Sequence, residues 1–113
     1  MSSIQAVCVG VITIDTIALV DKYPGEDERV IADEISRAGG GPAAVAAVAL
    51  SRLGVKSAIV GTIGDDADGK EVLRIFAQEG VDTSGISIGS TATAGSVIVA
   101  SKENSARAIS TRQ

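Results

Sequence analysis

Apolar residues along this chain form short runs that are separated by glycine-rich or charged segments. The run at residues 6–12 is continuously apolar and rich in valine, which predicts a strand buried on both faces, as in a parallel sheet. Residues 57–61 predict a second strand of this kind. Between them, the alanine and valine pattern of residues 42–53 predicts a helix without a broad polar face, buried between layers. Strand, helical crossover and strand together predict a βαβ unit.

The start of this first helix consists of three glycines, residues 39–41, followed by proline. Pro42 suits the first helical turn, where its missing N–H costs nothing, and Gly54 suits the left-handed position after the last turn. Unpaired N–H groups and the positive end of the helix dipole at this start can hold the oxygens of a ligand. A tight turn explains the same three glycines, and composition alone slightly favours that interpretation.

A second helix is predicted at residues 69–79, because its apolar positions share one face. Asp68 is a candidate cap for this helix, with Glu71 three residues later as the return partner, and Gly80 ends it. Residues 81–85 then predict a turn and residues 86–88 a short strand. The order of these elements predicts an α/β fold.

Two parts of the chain do not fit plain alternation of strands and helices. Residues 29–37 predict an exposed strand after a polar loop at residues 21–28. Residues 94–100 and 106–111 predict a hairpin around a turn at residues 102–105.

Composition narrows the class of protein. The 113 residues suit about one small domain, and a net charge of −4 without a cluster of Lys or Arg argues against a nucleic-acid partner. No run approaches the roughly 18 apolar residues of a membrane span, and residues 1–5 lack the basic region of a secretory signal. Histidine is absent, which excludes His-based catalysis and most zinc sites. Cys8 is a predicted core residue; being the lone cysteine, it suits a reducing cytoplasm.

The segment Gly64–Lys70 matches the first seven positions of a phosphate-binding P-loop. Glu71 replaces the hydroxyl residue that would bind magnesium, and the three carboxylates of the segment would repel phosphate. A calcium loop in the same place would have Gly64 and Ile75 where it needs carboxylates. We therefore predict no metal site, and helix capping and a ligand role both remain open for these aspartates.

Asp15 follows the first predicted strand. A carboxylate at the carboxyl end of a buried parallel strand faces the crevice where open α/β sheets bind ligands. A surface aspartate at the end of a strand is the alternative, and position alone does not separate the two.

Three motifs at fixed spacing surround the glycine-led helix. They are Val9-Gly10 with Asp15, then Gly40-Gly41-x-Ala43-x-Val45-x-Ala47 with Gly54, and then Gly61-x-x-Gly64-Asp65-Asp66-x-x-Gly69. Together they cover most of residues 6–80 and resemble the ribokinase-like carbohydrate kinases of the PfkB family. The tail, with Thr93, residues 97–99 and Arg107, is similar to the second pair of lid strands of that family.

The resemblance implies an ATP- and Mg²⁺-dependent kinase that phosphorylates a sugar hydroxyl. Residues 1–113 would be the amino-terminal, substrate-binding part of a ribokinase-like α/β domain, with lid strands around residues 16–37 and 91–111 that form a small sheet apart from the main one. It also implies a cytoplasmic homodimer, paired through the lid. Asp15 would bind sugar hydroxyls, and the backbone of Gly40 and Gly41 would contact the sugar. The remaining substrate-binding positions that it implies are Val45, Asp65, Asp66 and Arg107.

The chain departs from the family pattern in two ways. Val45 stands where the family has an asparagine that hydrogen-bonds the sugar. The catalytic base of the family lies in a later Gly-Ala-Gly-Asp segment that residues 1–113 do not contain, so no catalytic residue is assigned here and ATP and Mg²⁺ would be bound mainly by later sequence. A nucleoside kinase of the same fold and a non-catalytic binding or interaction module are the alternative interpretations.

Overall fold

The computed structural model describes residues 3–113. Met1 and Ser2, the first two of the residues 1–5 considered above, lie outside the described residues. Contacts divide the chain into two compact units. The first, here called the α/β unit, comprises the chain up to Ile14 together with Gly39–Ala94. The second, here called the β unit, comprises Asp15–Ala38 and Gly95–Gln113.

Seven strands and two helices occur within residues 3–113. In chain order they are β1 (Ala6–Val9), β2 (Thr13–Val20), β3 (Glu34–Gly40), α1 (Pro42–Arg52), β4 (Ser57–Gly64), α2 (Ala67–Glu79), β5 (Asp82–Gly89), β6 (Ala94–Ser101) and β7 (Arg107–Arg112). The α/β unit contains a three-stranded parallel sheet in the order β1-β4-β5. The α/β fold class predicted from the sequence is confirmed.

One face of this parallel sheet carries the hydrophobic core. Ile59 and Ile63 of β4 pack with Ala47 of α1 and Phe76 of α2 in the main cluster of buried side chains. The Ser57 hydroxyl, which is also buried, donates a hydrogen bond of 2.7 Å to the Ala47 carbonyl oxygen. Burial of a few aliphatic side chains against two helices therefore holds this unit together, since such burial contributes about 25 cal/mol per Å².

Two predictions of burial are wrong for the described residues. Val7 and Val9 are 58% and 72% exposed, so β1 is not buried on both faces. Helix α1 is not buried between layers either, because Val45 and Leu53 on its outer surface are 58% and 80% exposed. Cys8 packs against the core cluster as predicted. Both elements contain more apolar residues than are needed to cover one face of the sheet.

The helix ends follow local sequence. Pro42 occupies the first turn of α1, and Gly54 and Gly80 adopt left-handed φ angles of 88° and 75° after the two helices, as predicted. The predicted cap of α2 is wrong: the helix begins at Ala67, and its cap is Asp66 rather than Asp68.

The side chain of Glu71 takes part in an ion pair on the surface of α2. Glu71 forms a bidentate ion pair with Arg74, which lies three residues further along α2. It is therefore engaged along the surface of the helix.

Strand β5 is longer than the sequence pattern predicts. The prediction of a turn at residues 81–85 is wrong, because Asp82–Gly89 pairs in parallel with β4 along most of its length. Gly85 lies opposite Val60, and a Cβ there would lie 2.8 Å from a methyl group of Val60. Close packing against a neighbouring strand, rather than local propensity, therefore explains why residues 82–89 form a strand.

The β unit contains a four-stranded sheet in the order β3-β2-β6-β7. The predicted hairpin is confirmed, with β6 and β7 antiparallel and Ile98 opposite Ile109. The prediction that these segments form a sheet apart from the main one is also confirmed.

An ion-pair network joins the turn of this hairpin to the loop before β3. Lys102 Nζ lies 2.5 Å from Asp33 and 3.0 Å from Asp21. The hydrogen bonds and charges of Asp33 and Asp21 hold the pKa of Lys102 above its usual range, and Lys102 in turn lowers the pKa of Asp33. The predicted exposed strand at residues 29–37 is shifted, since β3 begins only at Glu34.

Neither of the two helices in the described part of the chain is long and apolar enough to cross a membrane.

Candidate functional site

The carboxyl ends of β1 and β4 meet at one edge of the parallel sheet in the α/β unit. The two strands pair in parallel from Ala6 to Val9, and the Gly10 N–H extends the ladder by donating to the Val60 carbonyl oxygen at 3.1 Å. Open α/β sheets bind ligands outside the carboxyl ends of their strands. The residues that follow β1 and β4 are therefore the first place to look for a site.

The start of α1 lies against the end of β1. Gly41 has a φ of 96°, and a Cβ there would lie 2.2 Å from the Val11 carbonyl oxygen. Gly10 and Ala43 are also close, since a Cβ on Gly10 would lie 3.0 Å from the Ala43 Cβ. Only glycine fits position 41, because both the backbone angle and the available space exclude a side chain.

Among residues 3–113, no side chain caps this helix start. Gly41 provides only its carbonyl oxygen, which accepts a 2.9 Å hydrogen bond from the Val45 N–H, and the first turn contains no acidic residue. The N–H groups of a first turn normally find a capping side chain, water or a ligand. Val45 lies in this turn with its side chain largely exposed. The N–H groups of this turn can donate hydrogen bonds to the oxygens of a ligand, and the side chain that lies beside them is apolar.

The loop between β4 and α2 is held by a buried network. Both oxygens of the Asp66 carboxylate accept hydrogen bonds: Oδ1 from the Gly69 N–H at 2.8 Å and from the Thr93 hydroxyl at 2.6 Å, and Oδ2 from the Thr93 N–H at 2.9 Å. The Thr93 hydroxyl accepts in turn from the Gly64 N–H at 2.9 Å. The Asp66 carboxylate thus stabilises the conformation of this loop, whereas Asp65 beside it is exposed.

This network also decides against the P-loop interpretation of Gly64–Lys70. Helix α2 begins inside the motif, and the Gly69 N–H points at Asp66 Oδ1, where a phosphate-binding loop would direct it at a phosphate. No group of three side chains able to hold a metal ion occurs within residues 3–113.

The remaining predicted site residues are distributed over both units. Gly40 is buried at the end of β3 and belongs to the α/β unit, together with Gly41, Val45, Asp65 and Asp66. Asp15 lies in β2, is half-buried and is engaged by other groups of the protein. Arg107 is the exposed first residue of β7. Asp15 and Arg107 both belong to the β unit.

Thr93 is the residue that sequence reasoning missed. It is 1% exposed and takes part in three of the four hydrogen bonds of the network around Asp66, yet it lies 27 residues further along the chain. The only signal in the sequence was its place in the family-like tail. No local pattern pairs a threonine before one strand with the cap of a distant helix.

The fold and this edge define a class of protein: an α/β domain with a glycine-led helix start at the carboxyl end of its parallel sheet. Comparison with known families makes this specific. The model of the pfkB family carbohydrate kinases matches residues 3–112. The chain belongs to the pfkB family of carbohydrate kinases.

Individual relatives agree with this assignment. The chain is 36% identical to ketohexokinase from Mus musculus, covering 74% of this chain and 28% of that protein. It is 38% identical to ribokinase from Haemophilus influenzae, covering 69% and 26%. The solved structure of Arabidopsis thaliana ribokinase complexed with ribose and ATP matches with a TM-score of 0.78 at 23% identity, covering 98% and 36%. The chain thus spans about a quarter of the length of the curated relatives it matches.

Proposed function

We propose that the protein to which this chain belongs transfers a phosphoryl group from ATP to a hydroxyl group of a sugar, in the cytoplasm. The observation that carries the proposal is the match to the carbohydrate kinase family along residues 3–112. The glycine-led start of α1 at the carboxyl edge of the sheet supports it. In this proposal residues 1–113 supply the sugar-binding part and the β unit is a lid.

The chemistry of the proposed contacts is that of hydroxyl recognition. A carboxylate such as Asp15 accepts two hydroxyl hydrogens in defined directions, and charged acceptors make stronger hydrogen bonds than neutral ones. Backbone groups at Gly40 and Gly41 can approach a sugar closely because no side chain intervenes there. Asp65 and Arg107 are proposed as exposed polar partners of the same substrate.

ATP is the proposed phosphoryl donor, and magnesium would neutralise its phosphates. A ribokinase of the same fold has been solved with ribose and ATP. The described residues include no cluster suited to a divalent cation, so none of them is assigned to magnesium.

The proposal is tested on the full-length protein with a panel of sugars and nucleosides. Consumption of ATP that depends on one or a few sugars, with a product that gains one phosphoryl group by mass spectrometry, is the expected result. Phosphorylation of nucleosides alone would favour the nucleoside kinase. Absence of transfer to every acceptor, with saturable sugar binding by calorimetry, would favour a non-catalytic binding module.

Val45 offers a test of the start of α1. We expect Val45→Asn to change the ratio of kcat/KM between two sugars by about tenfold, because an amide adds a donor and an acceptor beside the first-turn N–H groups. Ala49→Asn is the matched control, since Ala49 is exposed one turn further along the same helix. An unchanged ranking of the sugar panel in Val45→Asn would show that position 45 does not face the substrate.

We also propose that the full protein is a homodimer that pairs through the β unit. Val97 and Ile109 are 59% and 49% exposed, and the hairpin register puts them on opposite faces of the sheet. Light scattering at high micromolar concentration should give twice the mass of one chain. Val97→Glu and Ile109→Glu tested separately identify the face that pairs, because only a charge within the interface dissociates the dimer. A monomeric parent protein would contradict the proposal.

A further inference from the structure

Thr93 forms hydrogen bonds to the residues on both sides of Asp65. Its hydroxyl accepts a hydrogen bond from the Gly64 N–H, and its hydroxyl and N–H both donate to the carboxylate of Asp66. Asp65 lies between these two anchored residues and is itself exposed. The loop therefore presents one solvent-facing carboxylate from a backbone that is fixed immediately before and after it.

The packing around the network leaves little room for a second arrangement. A Cβ on Gly64 would lie 2.4 Å from the Thr91 carbonyl oxygen, and a Cβ on Gly69 would lie 2.2 Å from the Gly64 carbonyl oxygen. Thr93 is almost fully buried, so its hydroxyl and N–H cannot exchange these partners for water without a large cost.

The same network fixes the start of β6. Thr93 directly precedes this strand, and the chain passes into the β unit after Ala94. A residue bonded to both the end of β4 and the cap of α2 thus holds the point from which β6 departs.

We infer that Asp66 and Thr93 form a clasp that positions Asp65 and the start of β6 for sugar binding, and that Asp66 itself does not contact the sugar. The inference rests on the proposed sugar kinase function. Asp66 and Thr93 are positioning residues in it: both oxygens of the carboxylate are directed into the protein, so they act on the substrate through the backbone they hold. Loss of the clasp should weaken sugar binding and leave ATP binding unaffected.

The test compares Thr93→Val with Thr93→Ser in the full-length protein. Valine keeps the shape but leaves the Gly64 N–H and Asp66 Oδ1 without the hydroxyl, whereas serine retains it. We expect Thr93→Val to raise the KM for the sugar by about tenfold with the KM for ATP within about twofold, and Thr93→Ser to restore the sugar KM to within about twofold of the parent. Asp66→Asn should resemble Thr93→Val, because an amide has only one oxygen for three donors.

Two further measurements separate positioning from plain stability. Ser57→Ala removes another buried hydroxyl bond in the same unit, at the opposite end of β4 from this loop, and should lower Tm without changing the sugar KM. The double variant Thr93→Val/Asp66→Asn should be no worse than the poorer single variant, because the two residues act as one unit. A lower Tm with unchanged sugar KM in Thr93→Val, or effects that simply add, would overturn the clasp.

A parent protein that phosphorylates no sugar would refute the proposed function. The clasp would then be tested by amide hydrogen exchange. The Gly64 and Gly69 N–H groups should be protected in the parent, and the Gly64 N–H should lose protection in Thr93→Val but keep it in Thr93→Ser. Unprotected amides at both glycines in the parent would overturn the clasp independently of any activity.

Discussion

Replacing Asp15 by alanine in the full-length protein is expected to lower kcat/KM for the sugar by about 30- to 1000-fold. This range corresponds to about 2–4 kcal/mol of lost transition-state binding, because a charged acceptor of two hydroxyl hydrogens leaves the site. Steady-state kinetics with the preferred sugar measures the effect. Asp15 is half-buried in β2, so the circular dichroism spectrum and Tm of the variant are recorded alongside.

Glu34→Ala is the matched control for this substitution. Glu34 is an exposed carboxylate at the start of β3 in the same unit, and its removal should change kcat/KM by less than about twofold. If Asp15→Ala keeps its fold and its specific activity lies within about threefold of the parent, Asp15 does not bind the sugar.

The 113-residue chain produced alone is expected to transfer no phosphate. Phosphoryl transfer depends on positioning the reactants and on stabilising the charge that spreads over the transferred group. By the family resemblance, the base, the helix start that stabilises this charge and the nucleotide pocket come from sequence outside residues 1–113. The measurement is ATP consumption with the sugar panel on purified, monodisperse chain beside the full-length protein.

The exposed apolar surface affects how this experiment is done. Val7, Val9 and Leu53 are 58%, 72% and 80% exposed, so we expect the isolated chain to aggregate or to need low concentration. Turnover that survives repurification and disappears in Asp15→Ala would contradict the prediction. It would place a catalytic base among the carboxylates at positions 15, 65, 66 and 68.

The family and the broad fold could be predicted because their signals are local and numerous. Glycines at positions 40, 41, 54, 64 and 69 recur at fixed spacing, and several mark backbone that a side chain cannot occupy, as at Gly41 against Val11. Runs of valine and isoleucine predicted β4 and β6 in the right places, whereas β2 was not predicted and β3 and β5 have other bounds. The glycine signals are visible in the sequence because the residue type itself marks these positions, even where the atom that excludes a side chain, as Val11 does for Gly41, lies far along the chain.

The candidate site could be predicted only in part. Gly41 and Val45 are in the first turn of α1 as expected, but the cap of α2 was assigned to Asp68 instead of Asp66. Both aspartates have the right chemistry for a cap, and the choice depends on Thr93, which binds Asp66 from a distant part of the chain. The roles of Asp15 and Arg107 in substrate binding remain predictions.

The sequence by itself determined where the helices end and where the β6–β7 hairpin turns. Pro42, Gly54 and Gly80 act through their own backbone preferences, and a hairpin requires only neighbouring residues to pair. Tertiary structure alone decided the full length of β5, the exposed faces of β1 and α1, and the Asp66–Thr93 clasp. Each of these depends on a partner far along the chain, and no local pattern contains the position of that partner.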